Sequence, residues 1–174
     1  MTGEEWSEWF LLRSTLLSKL KEKIVKGSLQ LTMRDMKERI FDNGKNTYGG
    51  KIGGYRDYYS RKYKKLWPEI RYERGLQIKY VDLRFTGELE KSIIVESNED
   101  KSVLKFSNNK NLEKAQFQEW LQAYKIGANE MDIFTLSNQE IDQLEDDIAS
   151  EFEDLIEEGL SSPRLKYLPK SFLK

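Results

Sequence analysis

Four glycines between residues 49 and 54 have the spacing of a phosphate-binding loop. In a G-x-x-x-x-G-K-[ST] motif, backbone N–H groups wrap a phosphate chain, and the lysine and hydroxyl that follow bind the terminal phosphates and magnesium. Gly49 and Gly54 match the two glycines, but Tyr55 and Arg56 stand where the lysine and the hydroxyl are needed. Residues 42–47 have the composition of a turn, not of a buried strand. The spacing therefore does not predict a nucleotide site.

Cations and aromatic residues are interleaved over residues 55–74. The cations are Arg56, Arg61, Lys62, Lys64, Lys65, Arg71 and Arg74, and the aromatic residues are Tyr55, Tyr58, Tyr59, Tyr63, Trp67 and Tyr72. Cations neutralise phosphates and aromatic rings stack on bases, so nucleic-acid binding is one interpretation. The other is that the tyrosines pack inward while their charged neighbours face solvent. The second is favoured, because no RNP, KH, homeodomain or zinc-finger pattern accompanies the segment.

The residue types offer little acid–base or metal chemistry. Histidine and cysteine are both absent, which excludes thiolate nucleophiles, Cys/His zinc sites and histidine acid–base catalysis. The carboxylate pairs at 146–147 and 157–158 lie on the acidic side of the last predicted helix, with no pocket to tune their pKa values. A solvated helix face explains them better. We therefore predict no enzyme activity, no metal and no cofactor.

Length and composition predict one polar, soluble domain. The chain has 174 residues, enough for a single core. Charged residues make up 34% and mean hydropathy is −0.74, while an aromatic content of 12% argues against disorder. No apolar run approaches the roughly 20 residues of a membrane helix. The acidic amino terminus does not resemble a signal peptide.

Apolar residues at helical spacing predict several helices. Thr2 and Glu5 form a capping-box pair before a helix over 3–25, which stops near Gly27. Further helices are predicted over 29–41 and over 56–65, and the second of these ends at Pro68. A helix over 111–127 carries Phe117, Trp120 and Tyr124. The last predicted helix covers 137–159 and follows a second capping box at Ser137 and Glu140.

Between these helices the sequence predicts a small antiparallel sheet. Residues 76–83 indicate a strand or an extended lead-in, and residues 131–136 a short strand. Residues 88–107 predict a β-hairpin that turns at 97–100. The apolar, proline-containing tail over 161–174 is too short for its own core, so we expect it to lie on its own domain or on a neighbour. The fold class is therefore α+β, with long N-terminal and C-terminal helices and an extended C-terminal tail.

Three blocks occur in order along the chain: GGKIGGY at 49–55, LRFTGELEKSI at 83–93 and FTLSNQE at 134–140. In this order they resemble the virion-morphogenesis proteins of tailed bacteriophages, the tail-completion and neck proteins, which carry G-x-x-I-G-x-Y, L-x-x-T-G-x-L/F-x-x-S-I and F-x-L-S/T-x-x-E blocks. The resemblance covers roughly residues 30–160. Its candidate motif and assembly residues are Ile52, Gly53, Tyr55, Leu83, Thr86, Gly87, Leu89, Ser92, Phe134 and Leu136.

The resemblance implies a structural virion protein without catalytic residues. Such a protein forms a homo-oligomeric ring at the neck or tail terminus and joins the portal–connector to the tail. Its partners would be copies of itself and the portal, connector and tail-tube proteins, assembled in the host cytoplasm, and the ring lumen would admit non-specific contact with DNA. The implied organisation is one domain over 1–160, with an N-terminal helix over 1–27, a family-like core over 28–160 and a tail over 161–174.

Segregated charge supplies candidate contacts between such copies. Residues 37–91 hold 14 Lys or Arg and 8 Asp or Glu, whereas residues 137–160 hold 10 Asp or Glu and no Lys or Arg. Two solvated faces of one domain are the plainer interpretation, and head-to-tail contacts are the sharper one. The basic candidates are Arg56, Arg61, Lys62, Lys64 and Lys65, and the acidic candidates are Asp146, Asp147, Glu151, Glu157 and Glu158. The alternative function is a nucleic-acid-binding accessory protein that uses residues 55–74.

Overall fold

The helices and strands segregate along the chain, as in an α+β fold. A computed structural model describes residues 3–53, 59–60, 63–79, 81–84, 86–98, 101–126 and 131–161. Its elements are α1 (Gly3–Lys37), a π-helix (Glu38–Asp42), β1 (Tyr59–Ser60), β2 (Lys65–Leu66), α2 (Trp67–Glu73), α3 (Glu88–Ser92), β3 (Ile93–Ser97), β4 (Ser102–Phe106), α4 (Asn109–Ile126) and α5 (Asn138–Ser161). The predicted class and the long helices at both ends are confirmed, and the described strands form two separate antiparallel pairs. The predicted tail beyond residue 161 lies outside the described residues.

α1 is a single helix of 35 residues that passes through Gly27. The predicted stop at this glycine is wrong. A glycine inside a helix costs roughly 1 kcal/mol relative to alanine, which tertiary packing readily offsets. Ser28 is buried beside it, Thr32 Oγ1 donates to the Ser28 carbonyl at 3.0 Å, and α5 packs along α1. The packing of α5 thus overrides the local helix-stop signal.

The glycine loop that follows the π-helix is closed by its own hydrogen bonds. Gly44 adopts a φ of +60°, which turns the chain, and its carbonyl accepts from the Ile52 N–H at 2.7 Å. Next to this hydrogen bond, Lys45 pairs with Lys51 in an isolated antiparallel β-bridge. The Asn46 Oδ1 atom accepts from the backbone N–H groups of residues 48 and 50 at 3.1 and 2.8 Å. Residues 44–53 are therefore a hydrogen-bonded turn.

The segment around Pro68 differs most from its predicted structure. Tyr59–Ser60 pairs with Lys65–Leu66 as an antiparallel hairpin, so a continuous helix over 56–65 is wrong. Lys64 has a φ of 53° at the turn of this hairpin. Pro68 lies in the first turn of α2 and starts that helix instead of ending the previous one. Proline is tolerated there because the first helical N–H groups have no intrahelical partner.

Residues 76–84 run without ladder hydrogen bonds and are held by Arg71 instead. The Arg71 side chain is 1% exposed. It donates to the carbonyls of Gln77 and Arg84 at 2.8 and 2.5 Å and to the Asp82 carboxylate at 2.8 Å. The described part of this segment is therefore an extended lead-in, which was one of the two predicted structures, and it contains no strand.

The predicted β-hairpin is confirmed over residues 93–106. β3 and β4 pair in register from Ile93 with Phe106 to Ser97 with Ser102. Residues 88–92, predicted as part of the first strand, form the short helix α3 instead. Gly87 precedes α3 with a φ of 72°, a left-handed conformation that favours glycine. The predicted turn at residues 86–87 is thus also the start of a helix.

The last two helices follow the prediction except at their ends. Asn108, not Asn111, begins α4, because its Oδ1 atom accepts from the Asn111 N–H at 2.9 Å. α5 continues past Gly159 to Ser161, so the predicted stop at that glycine is wrong. Residues 131–136 are not a strand, because Glu119 Oε1 accepts from the N–H groups of residues 133 and 134 at 3.0 and 3.1 Å.

One hydrophobic core joins the end of α1 to the hairpin, α4 and the irregular segments. Its buried residues are Met36, Ile40, Phe41, Ile52, Val81, Ile93, Ala123, Met131 and Ile133. Ile40 and Phe41 come from the π-helix, whose extra residue per turn brings both side chains into the core. Within the described residues, none of the helices is sufficiently long and apolar to cross a membrane.

We expect the Phe41→Ala variant to lose about 3–5 kcal/mol of unfolding free energy, because it leaves a cavity in the core. Phe117→Ala is the matched control, since that ring is 49% exposed. It should cost less than about 1 kcal/mol. Urea unfolding followed by tryptophan fluorescence measures both. Equal losses for the two variants would contradict the placement of the core.

Candidate functional site

The candidate motif residues converge on the core although they come from three separate blocks. Ile52 is fully buried within it. Leu83, Leu89, Phe134 and Leu136 are partly buried and pack against it. The Phe134 ring contacts the rings of two core aromatics, with centroids 5.5 and 6.5 Å apart. These five side chains therefore stabilise the domain and have little surface left for a partner.

The remaining motif residues shape the backbone. Ser92 is buried and its Oγ donates to the Leu89 carbonyl at 2.6 Å. Gly53 permits a close approach, since a Cβ there would lie 2.3 Å from Gln122 Oε1 on α4. Thr86 is exposed, and its Oγ1 accepts from the Glu88 N–H at 3.4 Å. Tyr55 lies outside the described residues.

Arg39 connects the loop before the first block to the third block. Its side chain is 11% exposed, and its Nε and Nη2 atoms donate to the two carboxylate oxygens of Glu140 at 2.8 and 3.2 Å. The guanidinium also donates to the backbone oxygens of Lys45, Ile133 and Thr135 at 3.3, 3.3 and 2.8 Å. One side chain thus ties the π-helix, the glycine loop, the irregular segment 131–136 and the start of α5 together. We call it the Arg39 hub.

The capping box at the start of α5 is part of the same hub. Glu140 N–H donates to Ser137 Oγ at 3.2 Å, and the Ser137 N–H donates to Glu140 Oε2 at 2.7 Å. This reciprocal pair confirms the predicted second capping box. Because Glu140 also pairs with Arg39, it both caps α5 and docks that helix on the end of α1.

The glycine loop itself docks on the third block. The Thr47 N–H donates to the Asp132 carbonyl at 3.0 Å, and the Thr47 and Thr135 hydroxyls lie 2.9 Å apart. The Tyr48 hydroxyl donates to the Asp132 carboxylate at 2.9 Å, although its side chain is 79% exposed. Residues 47 and 48, just before the first block, are therefore hydrogen-bonded to residues 132 and 135 at the start of the third.

Arg84, from the second block, ties that block to the end of α1. Its guanidinium donates to both carboxylate oxygens of Glu90 at 2.7 and 2.5 Å and also pairs with Asp42. It lies 5.7 Å from the centre of the Phe41 ring. Hydrogen bonds to Glu90 raise the pKa of Arg84 above its ordinary value, burial lowers it, and Asp42 raises it further. Arg84 therefore stays cationic wherever the protein is folded.

The described part of the basic segment presents three exposed cations, Lys64, Lys65 and Arg74, beside packed aromatic rings. Lys64 and Lys65 are exposed, and the hydrogen bond to Glu73 raises the pKa of Lys65. The centres of the Tyr63 and Trp67 rings lie 6.4 Å apart, and the Arg74 guanidinium lies 5.6 Å from the centre of the Tyr63 ring. Tyr63 is thus engaged within the chain and is not presented as a stacking platform. Arg56, Arg61 and Lys62 lie outside the described residues.

α5 carries the acidic candidates. It holds ten Asp or Glu and no Lys or Arg. Asp146, Glu151 and Glu157 are exposed, and half-buried Asp147 accepts from Gln143 at 2.8 Å. Glu158 lies in α5, but its side chain is outside the described set. α5 packs along α1, whereas β2 packs against β1 and α2, so the anionic and cationic surfaces belong to different elements.

An exposed aromatic ladder on α4 was missed by the sequence analysis. Phe117, Trp120 and Tyr124 are 49%, 58% and 72% exposed. The Trp120 ring stacks on Tyr124 at 5.6 Å and lies 5.8 Å from Phe117. Helical spacing placed the three on one face but could not tell that Ala115 and Ala123 mark the buried face. The paired alanines were the available signal, because small residues permit close helix packing.

Comparison with protein-family models, with curated proteins and with solved structures finds no match to this chain.

We expect Arg39→Met to lower the free energy of unfolding by about 3 kcal/mol, because it leaves the Glu140 carboxylate and three carbonyls without their donor. Arg34→Met is the matched control on the same helix, since Arg34 is 71% exposed and pairs only with its neighbour Asp35 in the described residues. Its cost should stay below about 0.5 kcal/mol. Denaturant unfolding with circular dichroism checks both. Similar costs for the two variants would mean that the hub does not hold the domain.

Proposed function

We propose that the chain is a structural subunit of a phage neck or tail terminus and assembles head to tail into a ring that joins the portal–connector to the tail. The observation that carries the proposal is the placement of anionic and cationic surfaces on separate elements of one domain. The acidic side chains lie on α5 and the exposed lysines on the β1–β2 hairpin. The ordered three-block resemblance supplies the class of particle.

Two complementary surfaces at different places on one subunit favour a heterologous contact. In such a contact the acidic surface of one copy meets the basic surface of the next, and the assembly closes into a ring if the rotation permits. Opposed charges steer and orient this association more than they tighten it. The apolar contribution has to come from elsewhere on the surface.

The aromatic ladder on α4 is a suitable source of that apolar contribution. Trp and Tyr dominate the energetics of many protein interfaces, and contiguous exposed aromatic patches mark interaction sites. The ladder also lies on a regular helix of 18 residues, which presents the rings rigidly. It supports assembly independently of the charges.

The nucleic-acid alternative has less support from the described residues. Arg71, one of its cations, is buried in the network that holds residues 76–84. Tyr63 packs on Trp67, and Lys65 pairs with Glu73. These three side chains, which would contact phosphate and bases, thus already have partners within the chain.

A charge-swap experiment tests the assembly. One variant carries Lys64→Glu and Lys65→Glu, and a second carries Asp146→Lys and Glu157→Lys. We expect each alone to assemble more weakly than the unmodified chain, because the first puts carboxylates opposite the acidic surface and the second lowers the net charge of α5 from −10 to −6. An equimolar mixture should assemble more strongly than either variant alone, because the new lysines of one variant can then meet the new glutamates of the other. Size-exclusion chromatography with light scattering measures the masses.

Two results would contradict the proposal. The first is a mixture that stays monomeric while the unmodified chain assembles, which would remove these surfaces from the contact. The second is an unmodified chain that is monomeric at every concentration and binds duplex DNA with a steep salt dependence, which would favour the nucleic-acid alternative.

A further inference from the structure

A groove of about 660 Å³ lies between α1 and α5. Its lining residues come from both helices. They are Leu20, Lys23, Ile24, Gly27, Ser28 and Leu31 on α1, and Asp147, Ser150, Glu151, Asp154 and Leu155 on α5. Gly27, Ser28 and Ser150 are small, so the helices leave space between them where larger side chains would close it.

The groove is apolar at its floor and acidic along one rim. Leu31 is 46% exposed, although it faces a helix–helix contact. Of the described lining residues, three on α5 carry carboxylates and one on α1, Lys23, is a cation. An occupant that fits this surface is a short segment with apolar side chains and an excess of positive charge. Such an occupant would cover the exposed leucine and neutralise the rim.

Residues 162–174 of this chain have that composition. The segment SPRLKYLPKSFLK contains four Lys or Arg, no Asp or Glu, and five large apolar residues. Its cations alternate with leucine and tyrosine over 164–168, so both kinds of contact are available within a few residues.

The segment also begins where it can reach the groove. α5 ends at Ser161, eleven residues after Ser150, which corresponds to about 16 Å along the helix. Pro163 cannot extend that helix in the usual way, and the seven residues from 162 to 168 span at most about 25 Å when extended. The tether is therefore long enough for residues 164–168 to return along α5, and a tethered segment has an effective concentration of roughly millimolar.

We propose that the groove between α1 and α5 binds residues 164–168 of the same chain. The binding covers the apolar floor and pairs Arg164 and Lys166 with the acidic rim. Both partners belong to one copy, so the proposal does not rest on ring formation, although Glu151 is also an acidic candidate for the contact between copies. The acidic residues that it uses, Glu151 and Asp154, differ from those changed in the charge-swap experiment.

Disulfide trapping in the full chain tests the proposal, and the absence of native cysteine leaves no background. Ser150→Cys combined with Leu168→Cys places one thiol in the groove and one on the segment. Ala149→Cys with Leu168→Cys is the matched control, because residue 149 is exposed on α5 and does not line the groove. We expect the first pair to form an intramolecular disulfide roughly tenfold faster than the second at low protein concentration.

Charge variants in the same background complete the test. Glu151→Lys with Asp154→Lys should reduce the cross-linking rate to that of the control pair, whereas Asp146→Lys with Glu157→Lys should leave it unchanged. Circular dichroism verifies that every variant is folded. Equal rates for the two cysteine pairs would overturn the proposal. So would a product at twice the chain mass without an intramolecular one, since the occupant would then be a second copy.

Discussion

The buried pair between Arg39 and Glu140 is the constraint on which the rest of the structure depends. A buried pair is stable only when hydrogen bonds satisfy the remaining donors and acceptors. Here the Arg39 guanidinium donates hydrogen bonds to one carboxylate and three carbonyls, and the Glu140 carboxylate also caps α5. A lysine would supply one point charge in place of this geometry. The Arg39 hub holds irregular segments that are not part of a described β-sheet.

Irregular segments elsewhere in the domain follow the same principle. Arg71 donates to the carbonyls of Gln77 and Arg84 in the extended segment, and Glu119 accepts from the N–H groups of residues 133 and 134. In each case a charged side chain replaces a strand partner. This is why a chain with 34% charged residues still has a continuous core. Many of its charges act as internal hydrogen-bonding groups and are unavailable to a partner.

The sequence predicted the structure correctly where it depends on residues close along the chain, and incorrectly where it depends on residues far along the chain. The capping box at 137–140 and the hairpin over 93–106 depend on neighbours close along the chain, and both were predicted. The continuation of α1 through Gly27 depends on α5, more than a hundred positions away. For the candidate site, the blocks were identified but not their burial, because spacing shows that residues share a face without showing which face is inward.

The burial of the motif residues separates two roles that the sequence presented as one. Residues that preserve the domain, such as Ile52 and Phe134, lie in or against the core and are constrained by packing. Residues that would meet a partner lie on the free faces of α4, α5 and the β1–β2 hairpin, which packing constrains little. Rigid hubs beneath these faces keep the opposed charges apart, since α5 is docked through its first turn and one side only. The proposed contact between copies uses this separation, since it brings the acidic surface of one copy to the basic surface of the next.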